Sequence, residues 1–193
     1  MINNMRRRDF IKKGTVIGAS AGTVIGVNAA TSFSPDDGKK VVPLKIAIGG
    51  DHAGFELKTY MKAELERDGH IVTDHGSYTP DPVDFPDIAK KICAAILSKE
   101  ADRGIMCCGT GVGASIACNK VRGVRASVCH DVYSARQCVE HDDVQVAAFG
   151  HQIIGKTVAI ELARLFLAAK FSTSEEFRRR VSKLDEMDAS RNP

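Results

Sequence analysis

Between residues 44 and 171, short continuous apolar runs alternate with wider stripes of helical period. Residues 44–48 are an apolar run with a β-branched centre, closed by Gly49 and Gly50. From 53 to 68 the apolar positions Leu57, Met61 and Leu65 recur every fourth residue, as on one face of a helix. Ile71, Val72 and Thr73 predict a second strand. Ile88, Ile92 and Ile96 predict a second helix, after the turn residues Pro80, Pro82 and Pro86. A third strand is predicted over 104–107, breaking at Gly109, and a helix over 111–119. Strand 124–129, helix 132–140 and strand 144–149 follow. Val158, Leu162, Leu165, Phe166 and Ala169 then line one face of a further helix. Strand and helix thus alternate five times at βαβ spacing. The expected fold is α/β: a Rossmann-like, three-layer α/β/α sandwich around a five-stranded parallel sheet with right-handed crossovers. A C-terminal extra helix, 174–187, carries Phe177, Val181, Leu184 and Met187 on one face. A closed sandwich leaves that stripe nothing to cover. It is expected to dock on the domain's own flank or on a second subunit, with the subunit favoured.

The chain before residue 44 has a different character. Arg6, Arg7, Arg8, Asp9, Phe10, Ile11, Lys12 and Lys13 precede an uncharged stretch, 14–30, rich in Gly, Ala and Val. A basic segment, a mildly apolar one and a small-residue exit are the parts of an export signal, with cleavage expected after Ala29. Arg7, Arg8, Phe10, Ile11 and Lys12 resemble a twin-arginine signal, which hands folded proteins to the twin-arginine export machinery; Arg6 stands where Ser or Thr is usual. A membrane anchor fits less well, because the stretch is short and broken by Gly18, Ser20, Gly22, Gly26 and Asn28. The expected location is therefore the periplasm or cell envelope. Residues 1–29 read as the signal, 30–43 as a linker, 44–171 as the α/β domain and 172–193 as the C-terminal helix.

Charge changes the picture once the signal is set aside. The formal net charge is +3, from 27 Lys and Arg against 24 Asp and Glu. Five of those basic residues and one acidic residue lie in 1–29, leaving 22 against 23. A near-neutral body has no electrostatic footprint for nucleic acid. An apolar fraction of 44% excludes a disordered chain, and 193 residues suit one domain. The six cysteines, Cys93, Cys107, Cys108, Cys118, Cys129 and Cys138, show no C-x-x-C spacing, so no zinc site is expected. They are expected to be mostly free thiols.

In open α/β sheets, ligands sit beyond the carboxyl ends of the strands. The sequence places Asp51 and His52 after strand one, and Cys108, Gly109, Thr110, Gly111, Val112 and Gly113 after strand three. Asp131 follows strand four, and His141 and Asp142 come just before strand five. A glycine loop that opens a helix presents bare N–H groups and a positive dipole end, which stabilise an anion such as a phosphate or an enediolate oxygen. The same setting favours the thiolate of a preceding cysteine. Three other loops are tested by residue. A Walker loop needs Lys followed by Ser or Thr directly after its second glycine, and in the 107–115 segment no such pair follows Gly111 or Gly113. A cysteine phosphatase loop needs Arg six residues after the Cys, where Ala114 stands. Gly109, Gly111 and Ala114 formally meet the dinucleotide fingerprint, with Asp131 as a ribose ligand, but that loop normally follows the first strand. A tight turn with inert cysteines, and an Asp-His pair that merely caps a helix, are the purely structural alternatives.

The sequence from Ile46 to Gly54 (IAIGGDHAG) combines with Cys108-Gly109-Thr110-Gly111-Val112-Gly113, Asn119-Lys120 and Gly123-Val124-Arg125-Ala126. Tyr133-Ser134-Ala135-Arg136, Glu140-His141-Asp142-Asp143 and Phe149-Gly150 follow in order. Together they resemble the type B ribose-5-phosphate isomerases and the galactose-6-phosphate isomerase subunits, from about residue 44 to 184. The resemblance implies an aldose–ketose isomerase that needs neither metal nor cofactor and works through a cis-enediolate. It implies Cys108 as the base moving a proton between C1 and C2, Thr110 and His141 in ring opening, and Asp51 on the reacting hydroxyls. His52, Gly109, Gly111, Val112, Gly113, Asp142 and Arg180 would bind substrate, a sugar or sugar phosphate. It also implies a homodimer, or a pair of such dimers, with sites at the subunit interface.

The chain departs from that pattern where phosphate is usually gripped. Gln152 stands where an arginine follows the Phe-Gly pair, and Glu176, or Glu175 in a shifted register, stands four residues before Arg180. Asp142 replaces the usual Asn. A carboxylate repels phosphate and a neutral amide binds it less strongly than a guanidinium does, so a free sugar is the alternative substrate. The competing classes are an exported sugar-binding protein on the same scaffold and a nucleotide-binding oxidoreductase.

Overall fold

The computed structural model describes residues 42–190. The expected export signal, its cleavage point and most of the linker lie outside the described residues. Eleven elements follow one another in the described chain. They are β1 (Lys45–Gly50), α1 (Phe55–Arg67), β2 (Ile71–Asp74), α2 (Phe85–Leu97), β3 (Arg103–Cys108) and α3 (Val112–Asn119). β4 (Ala126–Val128), α4 (Val132–Asp142), β5 (Val146–Gly150), α5 (Lys156–Ala168) and α6 (Glu175–Ala189) complete them. The five strands form one parallel sheet in the order β2-β1-β3-β5-β4. This is the expected sandwich. β1 and β3 run one or two residues further than their apolar patterns suggest, so that Gly50 and Cys108 still belong to the sheet.

Side-chain alternation divides the core into two layers. One layer joins Ile46, Ile48, Ile105 and Cys107 to Leu57, Met61 and Leu65 of α1, to Ala135 and Val139 of α4, and to Leu162 and Phe166 of α5. The opposite layer joins Ala47, Met106, Cys108 and Ala148 to Ile88 and Ile92 of α2 and to Ala114 and Cys118 of α3. Both faces of the sheet are lined by apolar side chains, as a parallel sheet covered on two faces requires. β4, three residues long, is an edge strand; the Asn119 amide pairs with it, accepting the Ala126 N–H at 3.0 Å and donating to the Ala126 carbonyl at 2.8 Å.

The C-terminal helix takes one of its two expected placements, on the flank of its own domain. α6 lies on α4 of its own chain, so part of its stripe is covered without a partner. Phe177 stacks on His141 with ring centroids 3.8 Å apart, and Val181 is buried. Leu184 and Met187 stay exposed. Arg125 ties the pieces together: Nε donates to the Asp142 carbonyl at 2.9 Å, and the guanidinium pairs with Asp143 at 2.8 Å and Asp185 at 2.6 Å.

Candidate active site

The vicinal cysteines are told apart by the pleat. Cys107 points into the α1/α5 layer, with Sγ 3.7 Å from Met61 Sδ, fully enclosed. Burial pushes its thiol well above the ordinary value, which makes it inert. Cys108 points to the other face, at the end of the sheet, and is 5% exposed. Its Sγ accepts the backbone N–H of Gly111 at 3.0 Å. Gly111 has φ of +79°, the left-handed conformation that glycine adopts readily, and it caps the start of α3. That turn aims the first free N–H of the helix start at the sulfur instead of at solvent. The Thr110 hydroxyl is exposed at the rim and accepts the Val112 N–H at 3.3 Å. The Phe85 ring lies against Gly113, within 3.1 Å of where a Cβ would stand.

Asp51 comes to the same edge from β1, and its carboxylate is buried. Its backbone N–H donates to the Cys107 carbonyl at 3.2 Å, which joins the two strand ends. Oδ1 accepts the Gly54 N–H at 2.9 Å. The turn-forming role of an Asp before a helix is therefore present, and it engages only one of the two oxygens. Gly54 crosses directly over β3: a Cβ there would fall 2.3 Å from the Cys107 carbonyl. This close crossing brings Asp51 and His52 beside the Cys108 loop. His52 is exposed.

Two further groups complete this edge. His130, after β4, accepts the Gly150 N–H on Nε2 at 3.0 Å and lies against Gly111. Burial lowers its pKa, opposed by the neighbouring Asp131. Gln152 lies against Gly109, with Oε1 3.3 Å from a Cβ position there, and its N–H donates to the Gly109 carbonyl at 2.9 Å. His130 does not emerge from the motifs, although its place one residue past a strand was a usable signal. Asp131 serves as the N-cap of α4, accepting the Ser134 N–H at 2.8 Å, and these hydrogen bonds hold its carboxyl below the usual range. The ribose-ligand reading of Asp131 is corrected accordingly.

His141, Asp142 and Arg180 are not at this edge, contrary to the sequence-based placement of His141 and Asp142. α4 starts at the carboxyl edge and runs back, so its last turn lies at the amino edge, where β5 begins. The five residues of β5 separate the two levels by roughly 13–17 Å. At the far end Nδ1 of His141 meets Gln137 Nε2 at 2.7 Å, and Phe177 covers the ring. Arg180 is ion-paired with Glu176, and its guanidinium also lies over the Phe177 ring, 5.8 Å from the centroid. A groove of about 560 Å³ along α6 and the β4 edge, lined in part by Arg125, Gln137, Asp142, Leu184 and Met187, belongs to this second group and not to Cys108. Among the described residues no three of His, Cys, Asp or Glu gather as a metal site requires.

The chain matches the family model described as Ribose/Galactose Isomerase over residues 46–184. The chain belongs to the ribose/galactose isomerase family. Its sequence is 38% identical over 148 residues to ribose-5-phosphate isomerase B of Escherichia coli K12, covering 77% of this chain and 99% of that protein. It is 37% identical over 142 residues to a 4-deoxy-4-sulfo-D-erythrose isomerase of Clostridium sp. MSTE9, covering 72% and 89%. The fold superposes on ribose-5-phosphate isomerase B of Clostridium thermocellum with a TM-score of 0.74 at 40% identity, over 76% of this chain and 98% of that one. Family membership makes the chain a sugar isomerase and puts both groups of residues within the matched region.

Proposed function

We propose that this family member is a cofactor-independent aldose–ketose isomerase that works through a cis-enediolate, with Cys108 as the base. The observation that carries the reading is the Gly111 N–H donated to Cys108 Sγ at 3.0 Å, beside the buried Asp51. A donor aimed at sulfur stabilises negative charge on it. The thiolate takes the proton from C2 of the open-chain aldose, and the C–H electrons move toward the carbonyl, leaving an enediolate. The N–H groups of the 109–113 loop face that charge. A proton passes from O2 to O1, helped by Asp51, and the thiol returns its proton to C1, giving the ketose. Thr110 and His141 act earlier, in ring opening.

Within one chain His141 is out of reach, so the reading requires a second copy to bring His141, Asp142 and Arg180 to the Cys108 loop. Val112 and Ile116 of α3 and Val132 and Tyr133 of α4 form an exposed apolar surface around that loop, which suits a subunit contact. The proposed assembly is a homodimer.

The substrate we infer is a sugar without a phosphate. Gln152 presents a neutral amide at the loop, and Arg180 is already paired with Glu176. An exported protein, which the N-terminal residues suggest, meets free sugars more readily than sugar phosphates. The test is a panel of ribose 5-phosphate, free pentoses and free hexoses, read by NMR for aldose–ketose conversion. Turnover of a free sugar supports the reading. Efficient turnover of the phosphate alone overturns the substrate assignment, and binding without turnover overturns the enzymatic one.

A further inference from the structure

Three polar or charged side chains are buried among the described residues, Asp51, Lys58 and Ser77, and all three gather at the carboxyl end of β1. Lys58 is the unexpected member. It stands one helical turn past Gly54, in a helix whose other charged residues are exposed or half-buried, yet only 2% of its side chain is exposed. A lone buried ammonium is strongly disfavoured unless it is paired and hydrogen-bonded. Here Nζ donates to Asp74 Oδ2 at 2.7 Å and to the Ser77 carbonyl at 2.6 Å. It also lies over the rings of Phe55 and Tyr78, at 5.3 and 5.6 Å.

Those partners belong to one device. Asp74 Oδ1 accepts the Gly76 N–H at 2.9 Å, and the Tyr78 hydroxyl donates to the Asp74 carbonyl at 3.0 Å. The 75–77 segment in turn extends the ladder of β1 beyond β2. The Ile48 carbonyl accepts the His75 N–H at 2.8 Å, the Gly76 carbonyl accepts the Gly50 N–H at 2.6 Å, and the Gly50 carbonyl accepts the Ser77 N–H at 2.5 Å. Gly50 is therefore held on both sides of its peptide by a loop that Lys58 and Asp74 anchor. The next residue is Asp51.

We propose that Lys58 is a positioning residue of this site: its ammonium pins the 75–77 loop onto Gly50 and so fixes the direction in which Asp51 presents its carboxylate to substrate. The proposal rests on the reading of Asp51 as a substrate-facing group. Lys58 touches neither substrate nor Cys108. It also places a positive charge beneath an edge that carries the Asp51 and Asp74 carboxylates and where an enediolate would form.

Four variants test this: Lys58→Met, Lys58→Arg, Asp74→Asn and the double Lys58→Met/Asp74→Leu, which leaves no unpaired buried charge and so guards against simple unfolding. Hydrogen–deuterium exchange is read in peptides covering 48–54 and 74–79, with α5 as the internal control. Exchange at Gly50 and Ser77 is expected to rise at least tenfold in Lys58→Met and in the double variant, with α5 unchanged, and to return to within about threefold of the parent in Lys58→Arg. On whichever sugar the parent converts, kcat should fall at least tenfold in Lys58→Met and in the double variant, with KM within about threefold, and recover in part in Lys58→Arg. Unchanged exchange at 48–54 in a folded variant overturns the proposal. So does a double variant with parental kcat, because Lys58 would then only neutralise Asp74. A parent that converts no sugar removes the isomerase reading, and the exchange result still decides the role of Lys58.

Discussion

If His141 acts across a subunit boundary, two inactive proteins should make an active one. The perturbation is a pair of variants, Cys108→Ala and His141→Gln. Each removes one proton-transfer group and should lower kcat by roughly 10²–10⁴. The structure supplies the arithmetic. Cys108 ends β3 at one edge of the sheet and His141 lies beyond the start of β5 at the other, a separation of roughly 13–17 Å. No side-chain rotation closes that gap within one chain. In a two-fold dimer each site takes Cys108 from one copy and His141 from its partner. A mixed dimer of the two variants then has one site lacking both groups and one site intact. Random exchange at equal concentrations makes half the dimers mixed, each with one working site of two, so activity should return to about a quarter of the parent's. The assay is turnover after brief low-denaturant exchange, with each variant treated alone as the control. Activity that stays at the sum of the two variants refutes the cross-subunit site. A lone His141→Gln with near-parental kcat refutes the role of His141 altogether.

Other expected outcomes follow from single contacts. Gly54→Ala drives a Cβ to 2.3 Å from backbone and should destabilise by about 3–5 kcal/mol or prevent soluble expression, whereas Gly155→Ala, with open space around it, should stay within about 0.5 kcal/mol in denaturant melts. Gln152→Arg should raise kcat/KM for ribose 5-phosphate by roughly 10–100-fold if a charged clamp is what the loop lacks; no change would relocate the phosphate end. Stability should fall as pH drops below about 6.5. Burial holds His70, His75 and His130 below their ordinary value. The unfolded chain therefore binds more protons in that window, and protonation also removes the acceptors of the Leu44 and Gly150 N–H groups. A thermal-melt series from pH 7.5 to 5 checks this, and His130→Gln should flatten part of the slope.

The fold was legible because its signals are local. Each strand is a short apolar run ended by glycine or a polar residue, and each helix carries a stripe of period near four. Strand ends were less legible: Gly50 and Cys108 pair with neighbours that only the assembled sheet supplies. The Cys108 loop, Asp51 and His52 were readable for the same local reason, since they sit immediately past strand ends. The place of His141 is not legible from its closeness in sequence to β5, because direction decides it. A helix that leaves the carboxyl edge returns to the amino edge, and its last turn cannot stay with the strand ends. Lys58 does not stand out in the sequence because a lysine in an amphipathic helix normally faces water, and its partners, Asp74 at the end of β2 and Ser77 in the loop after it, lie 16 and 19 residues away. The stripe on α6 was half right: Phe177 and Val181 found α4, while Leu184 and Met187 did not.

The most direct measurement concerns the sulfur itself. Cys108→Ser keeps an acceptor for the Gly111 N–H and nearly the same volume, so the fold should persist, but a hydroxyl is a far poorer base at neutral pH. In deuterated water, NMR of the converted sugar should show deuterium entering the C1/C2 positions with the parent, and both conversion and exchange falling at least about a hundredfold with the serine variant while sugar binding persists. Parental rates of exchange in Cys108→Ser would contradict the account.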